Sequence, residues 1–403
     1  MTWEQARSCN GVLKHFRSVI CIVLDGVGVG EAPDADRFGD VGSNSLGNTA
    51  RRVGALRLPA LEQMGLGNVA DIAGVVPKRR ATACWGKMAP AAAGKDSTAG
   101  HWELMGCVLR EPFPTYPFGF PEDLVDAFEQ AMGRRVLGNR AASGTLIIEE
   151  LGEEHLRTGC PIVYTSQDSV LQIAAHEKVA SLEQLYRMCE IARRLLVPPH
   201  GVARVIARPF AGSVGAFYRT PARKDFSLPP VGPTLLDAMT EETRTILAIG
   251  KIGQLFAERG ITRSISTTNN RDGMNQTLQA SRNREWDFIF VNLVDFDTMW
   301  GHRNDPRAYA LGLEEFDSYL NGLLHAMQGD ALLLITSDHG NDPTTESTDH
   351  SREYVPLLAY HPALRYPASL GTRATFADVA STIAENFDIR SSFPGTSFLS
   401  QLS

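Results

Sequence analysis

The sequence predicts an α/β protein, a mostly parallel sheet flanked by helices with a second, smaller α/β domain inserted into it. Three observations predict this. Short β-branched, apolar runs recur along the 403 residues, as strands buried on both faces of a parallel sheet require. An amphipathic helix separates the last two of these runs, giving strand, helix, strand in order. Two proline-rich stretches bracket about a hundred residues that carry strands and a helix of their own.

Taken in order, residues 1–16 offer little to bury and read as a loose extension ahead of the first strand, "SVICIVL" at 18–24. The stretches "EPFPTYPFGFP" (111–121) and "FSLPPVGPT" (226–234) then mark the insertion. They give a discontinuous core of 1–112 and 229–403 around an inserted domain at 113–228, which contains the strand runs "PIVYT" and "VARVIA" and an amphipathic helix near 181–196. The core resumes with the strands "ILAIG" (246–250), "DFIFVNLV" (287–294) and "ALLLITS" (331–337). Between the last two, Asp305 can cap a helix and Pro306 suits its first turn, while Leu313, Phe316, Leu320, Leu323, Leu324 and Met327 recur at helical spacing.

Composition narrows the function. An apolar fraction of 43% and a charged fraction of 21% are those of a globular chain, and the net charge of −7 with scattered basic residues argues against a nucleic-acid surface. The expected partners are small molecules. No run approaches the roughly 20 apolar residues needed to span a bilayer, and the first apolar run carries Asp25 and leads into glycines, unlike a signal peptide. Six cysteines lie far apart without a C-x-x-C pair, which fits a reducing cytoplasm.

In an open parallel sheet, functional groups gather beyond the carboxyl ends of the strands. Asp25 follows the first strand there; "DFDTMWGH" supplies Asp295, Asp297 and His302; "DHGND" supplies Asp338 and His339; and "STDHSRE" supplies His350. Any one such aspartate could be a turn former or helix cap. Together, aspartates after three strands and histidines in the same loops can furnish two sites of mixed oxygen and nitrogen ligands, suited to Mn²⁺, Zn²⁺ or Mg²⁺. Two such ions about 4 Å apart can clamp a phosphoryl transfer. Ser97, in "GKDSTAGHWE", is the candidate nucleophile, at the start of a helix whose amides would favour a phosphate on it; the alternative is an ordinary N-cap serine. The glycines of "DGVGVGEAPDAD" do not have dinucleotide-loop spacing, and "AIGKIGQ" lacks Walker spacing, which leaves Lys251 as a phosphate contact or a surface lysine. Within the bracketed block, Arg204, Arg208, Arg219, Arg223 and Lys224 suggest a lid that brings guanidinium groups to a phosphate, with Arg219 and Arg223 alternatively solvated surface residues.

The segments "LDGVGVGEAPDADRFGDVGSN", "GKDSTAGHWELMG", "YTSQDSVLQIAAHE", "RVIARPF", "NLVDFDTMWGHRNDP", "SDHGNDPTTESTDHSREYVPLLAY" and "GTSFL" resemble the phosphopentomutases of the alkaline phosphatase superfamily, from about residue 18 to the C-terminus. The resemblance implies an alkaline-phosphatase-like core with an inserted cap. It also implies two Mn²⁺ ions, one on Asp25, Asp338 and His339 and the other on Asp297, His302 and His350. Ser97 falls where the family carries its phosphorylated residue, usually threonine, with Thr98 beside it; Ser166, Asp168, Arg204, Arg208 and Lys251 fall in segments that face the sugar phosphate. The implied activity interconverts ribose 1-phosphate and ribose 5-phosphate, and the 2-deoxy equivalents, through a phosphoenzyme and a 1,5-bisphosphate that also serves as primer. A metal-dependent phosphatase or another phosphosugar mutase would use the same core, and a non-catalytic sugar-phosphate binder would keep the sites without turnover.

Overall fold

The computed structural model describes residues 15–166, 169–390 and 392–402. Contacts divide the chain into two compact units, Met1–Glu111 with Pro230–Ser403 and, between them in sequence, Pro112–Pro229. The expected loose extension falls largely on residues 1–14, outside the described residues. Its last position is fixed: Phe16 is buried, and its backbone N–H and C=O both bond the side chain of Asn386.

The strands in chain order are β1 (Ser18–Leu24) and β2 (Cys84–Met88) in the first unit, then β3 (Leu137–Ala141), β4 (Ile162–Thr165), β5 (Val170–His176), β6 (Arg204–Ala211), β7 (Tyr218–Arg219) and β8 (Lys224–Ser227) in the second. The first unit resumes with β9 (Ile246–Ile249), β10 (Arg263–Ile265), β11 (Phe288–Leu293), β12 (Ala331–Thr336), β13 (Val355–Tyr360) and β14 (Ser369–Arg373).

Eight strands of the first unit form one sheet in the order β10-β9-β11-β1-β12-β13-β2-β14, parallel except that β13 runs against both its neighbours. The apolar runs of β1, β11 and β12 are buried throughout or nearly so because side chains on both faces meet helices. Ile20, Ile22 and Leu24 share a core with Leu313, Phe316 and Leu320 of the helix Pro306–Ala326. That helix starts where the sequence expects, with Asp305 accepting from the Ala308 amide and Pro306 in the first turn. On another flank Trp102, from the helix Ser97–Leu104, is fully buried and donates to the Leu255 carbonyl, and Phe290 of β11 meets His101 and Phe256.

The second unit has a mixed sheet of its own, β3-β4-β5-β6-β7 with β8 also paired to β6. Its helix Leu182–Leu195 opens on a reciprocal cap between Ser181 and Gln184 and buries Leu185, Met188, Cys189 and Ala192 against the sheet core. Among the described residues, no helix is long and apolar enough to cross a membrane.

Candidate metal centre and active site

The strands β11, β1 and β12 are adjacent and parallel, with Leu24 level with Leu293 and Val23 level with Thr336. Their carboxyl ends therefore open side by side, and the loops that follow bring Asp297, Asp25 and Asp338 together although 272 positions separate Asp25 from Asp297 in the sequence. All three are buried. Asp297 sits in a π-helical turn, Phe296–Trp300, and His302 in the 3-10 turn Gly301–Arg303 that continues it. Such turns depart from regular helix spacing and re-aim side chains.

Two groups of ligand atoms result, each within 4.8 Å of one another: Asp25, Asp338 and His339 in one, and Asp297, His339 and His350 in the other. His302 reaches the second group through Asp297, its Nε2 lying 3.3 Å from Oδ2 while His350 Nε2 lies 3.2 Å from Oδ1. In the first group His339 Nε2 is 3.3 Å from both Asp25 Oδ1 and Asp338 Oδ2.

The ring partners reveal what these groups are built to hold. His339 Nδ1 faces its neighbour's carbonyl, Gly340 O, at 3.0 Å, and His302 Nδ1 faces Thr348 O at 2.6 Å. A proton on each Nδ1 satisfies those carbonyls and leaves a lone pair on Nε2 aimed at carboxylate oxygens, an arrangement that is repulsive until a cation joins it. Asp338 Oδ2 is buried and accepts no well-directed hydrogen bond among the described residues, His101 Nδ1 at 3.1 Å being shared with the Ser97 carbonyl. An under-satisfied carboxylate oxygen and converging imidazole lone pairs, with no thiol among them, fit a divalent ion bound by oxygen and nitrogen.

Electrostatics agree with this. Burial alone would lower the pKa of His339, but Asp338, Asp25 and Asp297 raise it to about 10. Burial likewise opposes protonation of His302, yet Asp297 and the Thr348 carbonyl raise it to about 9. The carboxyls move the other way against burial: His339 and His101 hold Asp338 at about 2, and His350 and His302 hold Asp297 well below the usual range.

Ser97 is buried at the first position of its helix, its Oγ 3.1 Å from His339 Nε2 and 3.3 Å from Asp25 Oδ1. The helix comes this close because residue 100 is glycine: a Cβ there would lie 2.1 Å from the Asp338 carbonyl oxygen. The cap is Asp96, not Ser97, which removes the bland reading of the serine. It also corrects one expectation. The Thr98 and Ala99 amides donate to Asp96 Oδ1 at 3.0 and 3.1 Å, so two of the helix amides expected to favour a phosphate are already engaged by the carboxylate.

Several contributors are absent from the sequence-derived set. Asn292, on β11 itself, donates to Asp25 Oδ2 at 2.7 Å, and Asn341 donates to Asp297 Oδ1 at 2.8 Å. His101 places Nδ1 2.8 Å from Ser97 O and 3.1 Å from Asp338 Oδ2. The signal for His101 is its position four residues after Ser97, one helical turn on; the asparagines carry no comparable mark. The "GVGVG" glycines also find a use: Gly28 makes room for the carboxylate of Glu353, which would meet a Cβ at 2.2 Å.

The remaining candidates fall in both units. Lys251 follows β9, partly buried, and makes no side-chain hydrogen bond or ion pair among the described residues. In the second unit Ser166 follows β4; Arg204 and Arg208 lie four apart on β6, hence on one face. Arg204 lies 3.6 Å from Asp225, and Arg208 Nε donates to Gln172. Arg223 grips Asp225 with two bonds of 2.7 Å. Asp168 lies outside the described residues.

Carboxylates and imidazoles delivered from the ends of a parallel sheet into adjoining clusters, with a serine hydroxyl against them, define a metal-dependent enzyme of the α/β class. The Metalloenzyme superfamily matches residues 17–391. The phosphopentomutase of Dictyoglomus turgidum is 55% identical over 387 residues, 96% of this chain and 98% of that one. Those of Dictyoglomus thermophilum and Caldanaerobacter subterraneus are each 54% identical over 96% of this chain and cover 99% and 98% of their own lengths. The chain belongs to the phosphopentomutase family, and it is accordingly an isomerase of the intramolecular phosphotransferase kind that binds divalent metal.

Proposed function

We propose that the chain interconverts ribose 1-phosphate and ribose 5-phosphate, and their 2-deoxy equivalents, by way of a phosphoserine at Ser97 and a 1,5-bisphosphate intermediate. The observation that carries this reading is the Ser97 hydroxyl, buried 3.1 Å from His339 and 3.3 Å from Asp25 at the edge of the paired ligand clusters. Asp25, Asp338 and His339 would hold one Mn²⁺ and Asp297, His302 and His350 a second. When bound, such a pair neutralises phosphoryl oxygens and favours an ionised serine oxygen.

In the forward direction the free hydroxyl of the pentose phosphate attacks phosphoserine phosphorus; the bond from phosphorus to Ser97 Oγ breaks as the new ester forms. Ser97 then recovers a phosphoryl group from the other end of the bisphosphate, so phosphate is neither gained nor lost. Trace bisphosphate primes the first cycle. His101 and Asn292 hold the participants still, the first against the Ser97 carbonyl and Asp338, the second against Asp25.

To the second unit we assign the role of a cap, with Arg204 and Arg208 gripping a phosphate from their shared face of β6 and Ser166 and Asp168 meeting the sugar. Lys251, whose ammonium has no protein partner among the described residues, is assigned to the same phosphosugar. Water exclusion is what separates a mutase from a phosphatase on this chemistry. The free thiols of Cys21, Cys84, Cys107 and Cys189, all buried, support a reducing compartment, the cytoplasm.

The test is direct. Purified protein given Mn²⁺, ribose 1-phosphate and a trace of ribose 1,5-bisphosphate is expected to form ribose 5-phosphate without stoichiometric inorganic phosphate. Free phosphate as the main product would make it a phosphatase.

A further inference from the structure

Arg352 lies two residues beyond His350 and is 3% exposed. An arginine side chain has five N–H bonds in a fixed fork, and here every one is spent inside the protein. Nε and Nη2 donate to the two carboxylate oxygens of Asp34 at 3.0 and 3.1 Å. Nη1 donates to the carbonyls of Ala92 and Gly94 at 2.8 and 2.7 Å, and Nη2 also to Pro90 at 3.1 Å. The ring of Phe38 covers the guanidinium, 4.7 Å from it. No donor is left for a substrate phosphate, so this cation acts on the protein itself.

What it grips leads to the nucleophile. Residues 90–94 are the strap that ends three positions before Ser97, and they form no helix or strand with one another. Their carbonyls go to Arg352, whereas the Ala91 and Ala92 amides go to the buried carboxylate of Glu103, on Ser97's own helix, at 2.7 to 3.1 Å. The strap is thus held between a cation from the His350 loop and an anion from the Ser97 helix. The loop after β1 is tied to the same cation by Asp34 and to the Arg352 backbone amide by Asp40, at 2.8 Å. Lys95 repeats the linkage next door, lying 3.0 Å from Asp40 and 3.3 Å from Asp349.

We infer that Arg352 is a positioning residue that fixes Ser97 relative to the ligand clusters by clamping the Pro90–Gly94 strap to the loops carrying His350 and Asp34. A lysine could keep the charge, but with one nitrogen in place of three it cannot span Asp34 and three carbonyls at once. Displacing a nucleophile by a fraction of an ångström to an ångström reduces turnover without weakening ground-state binding. The inference rests on Ser97 as the phosphorylated residue.

The experiment measures kcat, KM, bound metal and melting temperature for Arg352→Lys, Arg352→Ala and Asp34→Asn, all as the full chain loaded with Mn²⁺. The expected result for Arg352→Lys is a fall in kcat of roughly 10- to 100-fold, with KM and metal content near wild type. Asp34→Asn should move the same way by less, and guanidinium ion added at millimolar concentration should restore turnover to Arg352→Ala while methylammonium does not. If Arg352→Ala fails to fold, the other two variants decide. Turnover of folded, metal-loaded Arg352→Lys at the wild-type rate overturns the inference, as does a loss that only mirrors lost metal or lost folded protein. Phosphopeptide mapping of the wild-type chain separates the two readings: no phosphate on Ser97 removes the phosphoenzyme itself, whereas phosphate on Ser97 with an unaffected Arg352→Lys removes the clamp alone.

Discussion

His339 Nε2 stands 3.3 Å from Asp338 Oδ2, a buried oxygen that accepts no well-directed hydrogen bond among the described residues and has His101 Nδ1 as its other nitrogen neighbour, at 3.1 Å. Without a metal the contact is tolerable because the ring takes up a proton, its pKa being raised to about 10. With a metal the proton must leave.

That exchange sets a pH dependence. The folded-state pKa values of His339 and His302, about 10 and about 9, lie above the ordinary 6.5. They stabilise the metal-free chain fully below 6.5, and this contribution is lost as pH rises through 9 and 10. Metal competes with the same protons, so Mn²⁺ affinity should rise with pH between about 6 and 9 by roughly tenfold per unit for each proton released. Calorimetric titration of the metal-free chain in that range checks it; affinity independent of pH would contradict the protonated pairing.

Asn292 is buried on β11 and holds Asp25 through a 2.7 Å bond. Asn292→Leu keeps the volume but removes the donor, and metal affinity should fall roughly 10- to 100-fold. Equilibrium dialysis measures this. The loss should fall on the Asp25 cluster, since Asn341 still holds Asp297.

Two glycines predict opposite outcomes. Gly28→Ala forces a methyl to within 2.2 Å of the Glu353 carboxylate, which Ser45 and Ser351 hold in place; about 1–3 kcal/mol of stability should be lost. Gly322 lies within the helix Pro306–Ala326, and a Cβ added there would meet nothing within 4 Å, so Gly322→Ala should gain about 0.4–1 kcal/mol. Denaturant melts of both variants are the check.

The strands that carry the site were legible because burial on both faces demands unbroken apolar runs, and β1, β9, β11 and β12 are such runs. Asp25 and Asp338 follow from strand ends for the same reason. The carboxylate and imidazole donors on loops could be named from strand ends, but their grouping could not: His339 lies within reach of both Asp25 and Asp297, which come from the loops after two different strands, β1 and β11. Asn292 was hidden by its own strand, where a polar residue inside an apolar run leaves no periodic trace. Arg352 and Glu103 were hidden because most of their hydrogen bonds go to backbone atoms a dozen to hundreds of residues away, and carbonyls and amides have no sequence signature. The Asp96 cap does carry a signature, being an aspartate directly before a helix.

Ser97→Ala removes the hydroxyl between His339 and Asp25 while leaving every ligand in place. Mutase turnover should fall by several orders of magnitude, and metal content measured by atomic absorption should stay at the wild-type value. Retained turnover would mean that another oxygen accepts the phosphoryl group.

The most direct measurement is peptide mass analysis of the chain after exposure to ribose 1,5-bisphosphate and Mn²⁺. The expected result is a single added phosphate on Ser97, absent from the Ser97→Ala variant. Phosphate on Thr98, or none on a preparation that turns over, would contradict the account.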